Sequence, residues 1–76
     1  MEATVELRTE YIRLAALLKL ADVVQSGGEA KMLIQEGYVQ VNDATDTRRG
    51  AKIRPGDVVV VEGEPPLRIQ VVPADA

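Results

Sequence analysis

The 76-residue sequence contains no cysteine and no histidine. The absence of cysteine excludes a disulfide framework and a thiolate metal site, and the absence of histidine removes the usual zinc ligand and the usual general base. A chain of this length is expected to form one small core, with little room for a buried active site. We therefore expect a single domain over residues 1–76 that is a binding module without a cofactor or a metal, and not an enzyme.

Long apolar runs and a targeting pattern are absent as well. No run approaches the roughly 20 apolar residues of a membrane-spanning helix. The acidic start, MEATVELRTE, lacks the basic-then-apolar plan of a signal peptide. These features predict a soluble, cytoplasmic protein that does not contact membranes. The residues before about Thr9 and after Val72 are expected to be loosely held ends around a core of about residues 10–72.

The charge is small and unevenly distributed. The formal net charge of −3 argues against indiscriminate binding of polyanions, which usually requires a positive field. Between Asp46 and Arg54, however, the basic residues Arg48, Arg49, Lys52 and Arg54 oppose only one acidic residue. This segment is either a local basic loop or a solvated polar face.

A helix is predicted from Ser26 to about Glu36. Ser26 and Glu29 have the spacing of a capping box, and Gly37 is a typical residue to end the helix. Apolar residues recur at the i, i+3 and i+4 positions and predict a stripe that faces the core. The residues of this stripe are Ala30, Leu33 and Ile34.

The same helix presents Gly28, Lys31 and Gln35 on a neighbouring polar face. Glycine in a helix costs about 1 kcal/mol relative to alanine, so Gly27 and Gly28 need an explanation other than helix propensity. One explanation is the close approach of a phosphate to free N–H groups at the positive end of the helix dipole. The other is that the two glycines only form a tight turn between helices.

The rest of the chain predicts an α+β fold in which a helical hairpin packs on a small, mostly antiparallel sheet. A first helix is predicted before the capped helix, and alternating or β-branched segments predict the strands. Asn42 and Asp43 supply a turn that tolerates left-handed backbone. The predicted first helix is 14–24, and the predicted strands are 11–13, 38–41, 44–47, 58–61 and 67–71.

Several segments at fixed spacing identify a resemblance to a known family. They are LLKLADVVQSGGEAKMLIQEG, VQVN, TRRGAKI and GDVV, within roughly residues 11–62. This pattern resembles the RNA-binding domain first defined in small-subunit ribosomal protein S4, in particular its small stand-alone bacterial members. In the wider family the second helix opens with Ser-Arg, whereas this chain has Ser26, Gly27 and Gly28. The resemblance implies the S4-like fold and structured RNA as the ligand, with ribosomal RNA or a ribosomal subunit as the family-level expectation.

The resemblance also implies an RNA-binding surface on the second helix and the basic loop. Lysine and arginine neutralise phosphates, and asparagine or glutamine can reach a base edge or a 2′-hydroxyl. The sequence has two tyrosines and no other aromatic residue, so we expect readout of RNA shape and backbone and not stacking of unpaired bases. The candidate RNA-binding residues are Lys19, Ser26, Gly27, Gly28, Lys31, Gln35, Asn42, Arg48, Arg49 and Lys52.

Three other interpretations compete with an RNA-binding monomer. An acidic protein-interaction module of the same fold would bind no RNA, and its binding would lack the steep salt dependence of phosphate contacts. An enzyme would need a nucleophile and a base, for which Lys31 near Glu29 or Tyr38 is a poor arrangement. A metal site at the turn residues Asp43, Asp46 and Asp57 competes with the ordinary role of aspartate in turns.

Overall fold

The computed structural model describes residues 1–74, which form two helices and seven strands. The elements are β1 (Glu2–Leu7), β2 (Ile12–Arg13), α1 (Leu14–Leu20), α2 (Gly27–Gln35), β3 (Val39–Val41), β4 (Ala44–Thr45), β5 (Lys52–Ile53), β6 (Val58–Val61) and β7 (Leu67–Pro73). The strands belong to two sheets, one of five strands in the order β1-β7-β6-β3-β4 and one of two strands, β2 and β5.

The larger sheet is mixed but mostly antiparallel. Strand β1 runs parallel to β7, whereas the β7–β6, β6–β3 and β3–β4 pairs are antiparallel. Asn42 and Asp43 have positive φ angles of 49° and 70° in the β3–β4 turn, as a tight hairpin turn requires. The predicted α+β fold, a helical hairpin with a mostly antiparallel sheet, is confirmed.

The prediction of a loosely held N-terminal end is wrong. Strand β1 pairs with β7 along its whole length, and Val5 and Leu7 are buried in the core. The inward-facing residues alternate with Glu2, Thr4 and Glu6, so the acidic residues point away from the core. Toward the other end, the Ala74 N–H donates to the carbonyl of Leu7 at 3.0 Å. Residues 75 and 76 of the predicted loose C-terminal end lie outside the described residues.

Helix α1 is shorter than predicted and ends at Leu20 instead of Val24. Asp22 adopts a left-handed φ of 61°. Its N–H donates to the carbonyl of Lys19, and the Val23 N–H donates to the carbonyl of Leu18. This pair of hydrogen bonds is a Schellman motif that stops the helix and turns the chain. Val24 is still buried, which explains why the apolar pattern continues past the helix.

The core lies between the helical hairpin and one face of the larger sheet. Ala30 and Ile34 are fully buried, as predicted, whereas Leu33 is only partly buried at the margin of the core. Among residues 1–74 no polar or charged residue is buried, so all polar chemistry lies at the surface. The largest fully buried side chains are Leu14, Leu17, Leu18, Ile34, Ile53, Ile69, Val39, Val59 and Val71.

Candidate nucleic-acid interface

The start of α2 is held by the predicted capping box. The Glu29 N–H donates to Ser26 Oγ at 3.2 Å, and the Gln25 N–H donates to Glu29 Oε1 at 3.3 Å. The carboxylate reaches the residue before the N-cap, a variation on the usual reciprocal pair. Ser26 therefore has a structural role as the helix cap, and any ligand at this helix start would meet the negative charge of Glu29.

Gly27 and Gly28 are not required by the backbone or by packing. Both lie in α2, and neither has a positive φ. A Cβ atom on Gly27 would meet nothing within 4 Å, and one on Gly28 would lie 3.8 Å from Ser26 Oγ, an ordinary contact. The fold would therefore accept alanine at either position. Within residues 1–74 the N–H groups of these two glycines have no hydrogen-bond acceptor, as expected for the first turn of a helix.

The polar face of α2 is fully accessible. Gly28, Lys31 and Gln35 are exposed, and the last two have no side-chain hydrogen bond among the described residues. Lys19 is exposed in the last turn of α1, where a cation also interacts favourably with the helix dipole. The helix thus offers one cation and one amide beside two free backbone donors.

The basic loop begins with an ion pair. Arg48 Nη2 lies 2.9 Å from Asp46 Oδ2, and Arg48 Nε donates to Asp46 Oδ1 at 3.0 Å. These hydrogen bonds from Arg48 lower the pKa of Asp46 and raise the pKa of Arg48. The Arg48 side chain is 77% exposed and that of Asp46 only 13%. The guanidinium group is therefore oriented by Asp46 while most of its surface faces solvent.

The following residues of the loop are anchored to the start of α1. The carbonyl of Arg49 accepts the Ala15 N–H at 3.0 Å, and the carbonyl of Ala51 accepts the Leu14 N–H at 2.9 Å. Between them, the carbonyl of Gly50 accepts Arg13 Nη1 at 2.8 Å. Three successive carbonyls are thus bonded to donors from residues 13–15. The loop satisfies the free N–H groups at the start of α1, whose N-cap residue makes no side-chain capping bond.

This anchoring creates a pocket lined by cations. The pocket has a volume of about 360 Å³, and no carboxylate contributes to its lining. Four of its six lining residues are lysine or arginine. The lining residues are Arg13, Arg48, Gly50, Ala51, Lys52 and Arg54.

Two of these cations, Arg13 and Arg54, are not among the site residues that the sequence predicts. Arg54 was visible in the basic segment of the sequence, and the charge run could have identified it. Arg13 has no such signal, because it lies more than 30 positions before the loop in the sequence. It reaches the loop through the β2–β5 pair, in which Arg13 is opposite Lys52. The structure also corrects the position of Lys52, which lies in strand β5 and not in the loop itself.

Tyr11 lies beside the two opposed cations. The Lys52 ammonium is 4.9 Å and the Arg13 guanidinium carbon 5.2 Å from the centroid of its ring. Cation–π attraction at these distances offsets part of the repulsion between like charges placed opposite each other in a ladder. The ring is thus occupied by side chains of the protein.

Asn42 differs from the other candidates because its side chain is used within the fold. Asn42 Nδ2 donates to Asp57 Oδ1 at 3.0 Å, and Asn42 Oδ1 accepts the Val58 N–H at 2.9 Å. Asp57 Oδ2 in turn accepts the Arg54 N–H at 2.7 Å. Asn42 and Asp57 therefore join two turns of the sheet, and both the amide nitrogen and the amide oxygen of Asn42 are already engaged within the fold.

Among residues 1–74 no cluster of three or more possible metal-binding side chains is found. None of the helices in this part of the chain has the length and apolar character needed to cross a membrane.

The chain is similar in sequence to a known domain family and to two bacterial proteins. A family model described as "S4 domain" matches residues 5–71. The chain is 52% identical over 63 residues to "Probable ribosome maturation protein RlbA" of Bacillus subtilis (strain 168), covering 83% of this chain and 89% of that protein. It is 40% identical over 62 residues to "Putative RNA-binding protein YbcJ" of Escherichia coli (strain K12), covering 82% and 84%.

A solved structure shares the fold. The solution structure of the tyrosyl-tRNA synthetase C-terminal domain superposes with a TM-score of 0.67 and 22% sequence identity, covering 95% of this chain and 79% of that chain. At this identity the similarity concerns the arrangement of helices and strands.

Proposed function

Because the chain belongs to the S4 domain family, we propose that it is an RNA-binding protein that recognises structured RNA through the polar face of α2 and the basic loop. In this proposal Lys31, Arg48 and Arg49 contact phosphates. Gln35 and the N–H groups of the first turn of α2 contact backbone or 2′-hydroxyl oxygens. These are the donors that typically position an RNA backbone.

The observation that carries the proposal is the loop anchored at the start of α1. Its carbonyls at residues 49–51 are bonded to donors from residues 13–15, so these oxygens are already satisfied and the backbone of the loop is held against the start of α1. The cations of Arg48, Arg49 and Lys52 are exposed. On a protein with a net charge of −3, a fixed and locally positive surface favours one orientation of a polyanion.

The chemistry of the surface favours structured over unstacked RNA. The ring of Tyr11 is engaged by two cations, and Tyr38 is the other tyrosine of the chain. A stacking platform of successive aromatic residues, as single-strand binders use, is therefore missing from the described surface. The B. subtilis relative is named as a ribosome maturation protein. This name supports a finer proposal, that the RNA is ribosomal and that a ribosomal subunit is the partner. We further propose that the protein acts as a monomer and is not an enzyme.

The direct test is fluorescence anisotropy with a folded ribosomal RNA fragment at several salt concentrations. We expect the logarithm of the affinity to fall linearly with the logarithm of the salt concentration, by about 0.7 to 0.9 per phosphate contact. Replacing both Arg48 and Arg49 with alanine should reduce this slope by about two contacts and remove most of the affinity. Lys31→Ala should reduce the slope by about one contact.

Arg68→Ala is the matched control. Arg68 is an exposed cation on β7, opposite Glu2 of β1 in the larger sheet, so its loss changes the net charge by the same amount as a loss at Lys31. We expect it to leave the affinity and the slope nearly unchanged. Equal losses at Arg68 and Lys31 would mean that only net charge matters. Absence of RNA binding by the folded parent protein would instead support the acidic protein-interaction module.

A further inference from the structure

The cation-lined pocket beside the basic loop has more positive charge than one internal phosphate of an RNA strand requires. Of its four cations, only Arg48 has an ion-pair partner among residues 1–74. Arg13, Lys52 and Arg54 are therefore uncompensated by carboxylates. An internal phosphodiester carries a single negative charge, whereas a phosphate monoester carries about −1.5 to −2 at pH 7 because its second pKa is near 6.

The pocket is also preorganised for an anion. Arg13 is fixed by its hydrogen bond to the Gly50 carbonyl at 2.8 Å, and the Tyr11 ring holds Arg13 and Lys52 on its surface. Like charges opposite each other in a strand pair are destabilising, and the β2–β5 pair has only two residue pairs to offset that repulsion. An anion bound between the cations would remove the repulsion. Because the Arg13 side chain is already held by its hydrogen bond, binding of the anion would require no further ordering of that side chain.

The pocket is small as well as basic. Its volume of about 360 Å³ is at the lower end of the roughly 300–1,000 Å³ typical of small-molecule sites. A site of this size suits a single terminal nucleotide and is too small to enclose a duplex. In that case the polar face of α2 and the outer part of the basic loop contact the rest of the RNA.

From this charge, rigidity and size we infer that the pocket lined by Arg13, Lys52 and Arg54 binds the terminal phosphate monoester of an RNA end. The inference rests on the proposed function, because it assigns the RNA end to one part of the same interface. The shared chemistry is the monoester, which either a 5′ or a 3′ end can carry.

The test compares one RNA hairpin, labelled internally and prepared with a 5′-hydroxyl, a 5′-phosphate or a 3′-phosphate end. Binding is measured by anisotropy at fixed salt with the full-length protein. We expect one of the phosphorylated hairpins to bind about tenfold more tightly than the hydroxyl form, the effect of one additional charge-assisted contact. The end that gains affinity identifies the polarity. Adenosine monophosphate is the competitor that distinguishes an RNA end from a free nucleotide.

Variants locate the site. Arg54→Gln and Lys52→Gln should abolish the preference for the phosphorylated end, whereas the control Arg68→Gln should keep it. Lys31→Ala should weaken both forms equally. Circular dichroism of each variant shows that it is folded. Arg13 is avoided because its side chain also holds the loop.

The outcomes separate this inference from the proposed function. Equal binding of phosphorylated and hydroxyl hairpins would overturn the terminal-phosphate site and leave RNA binding intact. A preference that persists in both Arg54→Gln and Lys52→Gln would overturn the assignment to this pocket. Competition by adenosine monophosphate as strong as that of the RNA end would overturn the RNA end as ligand in favour of a free nucleotide. No binding of any hairpin would refute the proposed function itself.

Discussion

Gly28→Ala should change folding stability and RNA binding in opposite directions. Gly28 has helical backbone and room for a methyl group, whose Cβ would lie 3.8 Å from Ser26 Oγ. Alanine is favoured over glycine in a helix by up to about 1 kcal/mol. For a domain of this size, 1 kcal/mol corresponds to roughly 4–8 °C in Tm, so we expect Tm to rise by a few degrees.

RNA binding of the same variant should weaken. The methyl group would stand beside the free N–H groups of the first turn of α2 and hinder the approach of a phosphate oxygen. Loss of one hydrogen bond to a charged group costs about 1.5–3 kcal/mol, which corresponds to a roughly tenfold or greater rise in Kd. The assay is a thermal melt without RNA together with anisotropy on the same preparation.

A reciprocal control separates the two effects. Ala16 is exposed in the middle of α1, so Ala16→Gly should lower Tm by a similar amount and leave RNA affinity unchanged. A fall in Tm for Gly28→Ala would show that the fold requires this glycine, contrary to its geometry. Unchanged RNA affinity at a raised Tm would remove the start of α2 from the interface and leave Lys31 and the loop to carry the contacts.

Three further changes test other parts of the structure. Ile34→Ala should cost about 2–5 kcal/mol of unfolding free energy in chemical denaturation because Ile34 is fully buried. Lys31→Ala, at an exposed position, should change the unfolding free energy by no more than about 0.5 kcal/mol, and equal losses for the two variants would contradict the assigned helix faces. Asn42→Ala should lower Tm and keep RNA affinity, since it removes two hydrogen bonds and the residue suited to a φ of 49°. A loss of RNA affinity at unchanged Tm would instead place Asn42 in the interface. Hydrogen bonds from Arg48 lower the folded-state pKa of Asp46 below its ordinary value of 3.8, so the ion pair stabilises the fold above that pH and its contribution disappears as the pH falls through the folded-state pKa. In thermal melts across pH, Asp46→Asn should therefore be less stable than the parent at pH 6, and the difference should shrink below pH 3.8. A constant difference would show that the charge of Asp46 is not responsible.

Local patterns in the sequence predicted most of the elements correctly. The capping box at Ser26 and Glu29, the buried stripe of α2 and the left-handed turn at Asn42 and Asp43 depend on residues a few positions apart, and all three are present. The physical reason is that helix caps and tight turns are decided by backbone conformations and hydrogen bonds within about one turn of chain.

Two predictions failed because the local pattern of residues does not show where a helix stops or which distant strand a segment pairs with. The apolar periodicity of α1 continues to Val24, but the helix stops at Leu20 because Asp22 takes a left-handed conformation. At the N-terminus, acidic residues conceal a short alternating strand, so the sequence predicts a loose end there. That strand is stabilised by parallel pairing with β7, whose partner residues are more than 60 positions away in the chain.

The sequence by itself determined the α+β class, the cap and buried face of α2, and the basic character of the segment around Arg48 and Arg49. Only the tertiary structure decided that Arg13 joins this segment. The β2–β5 pair and the bonds from residues 13–15 to the loop carbonyls bring together charges that are distant in sequence. A pocket depends on distances between side chains, and no local propensity encodes those distances.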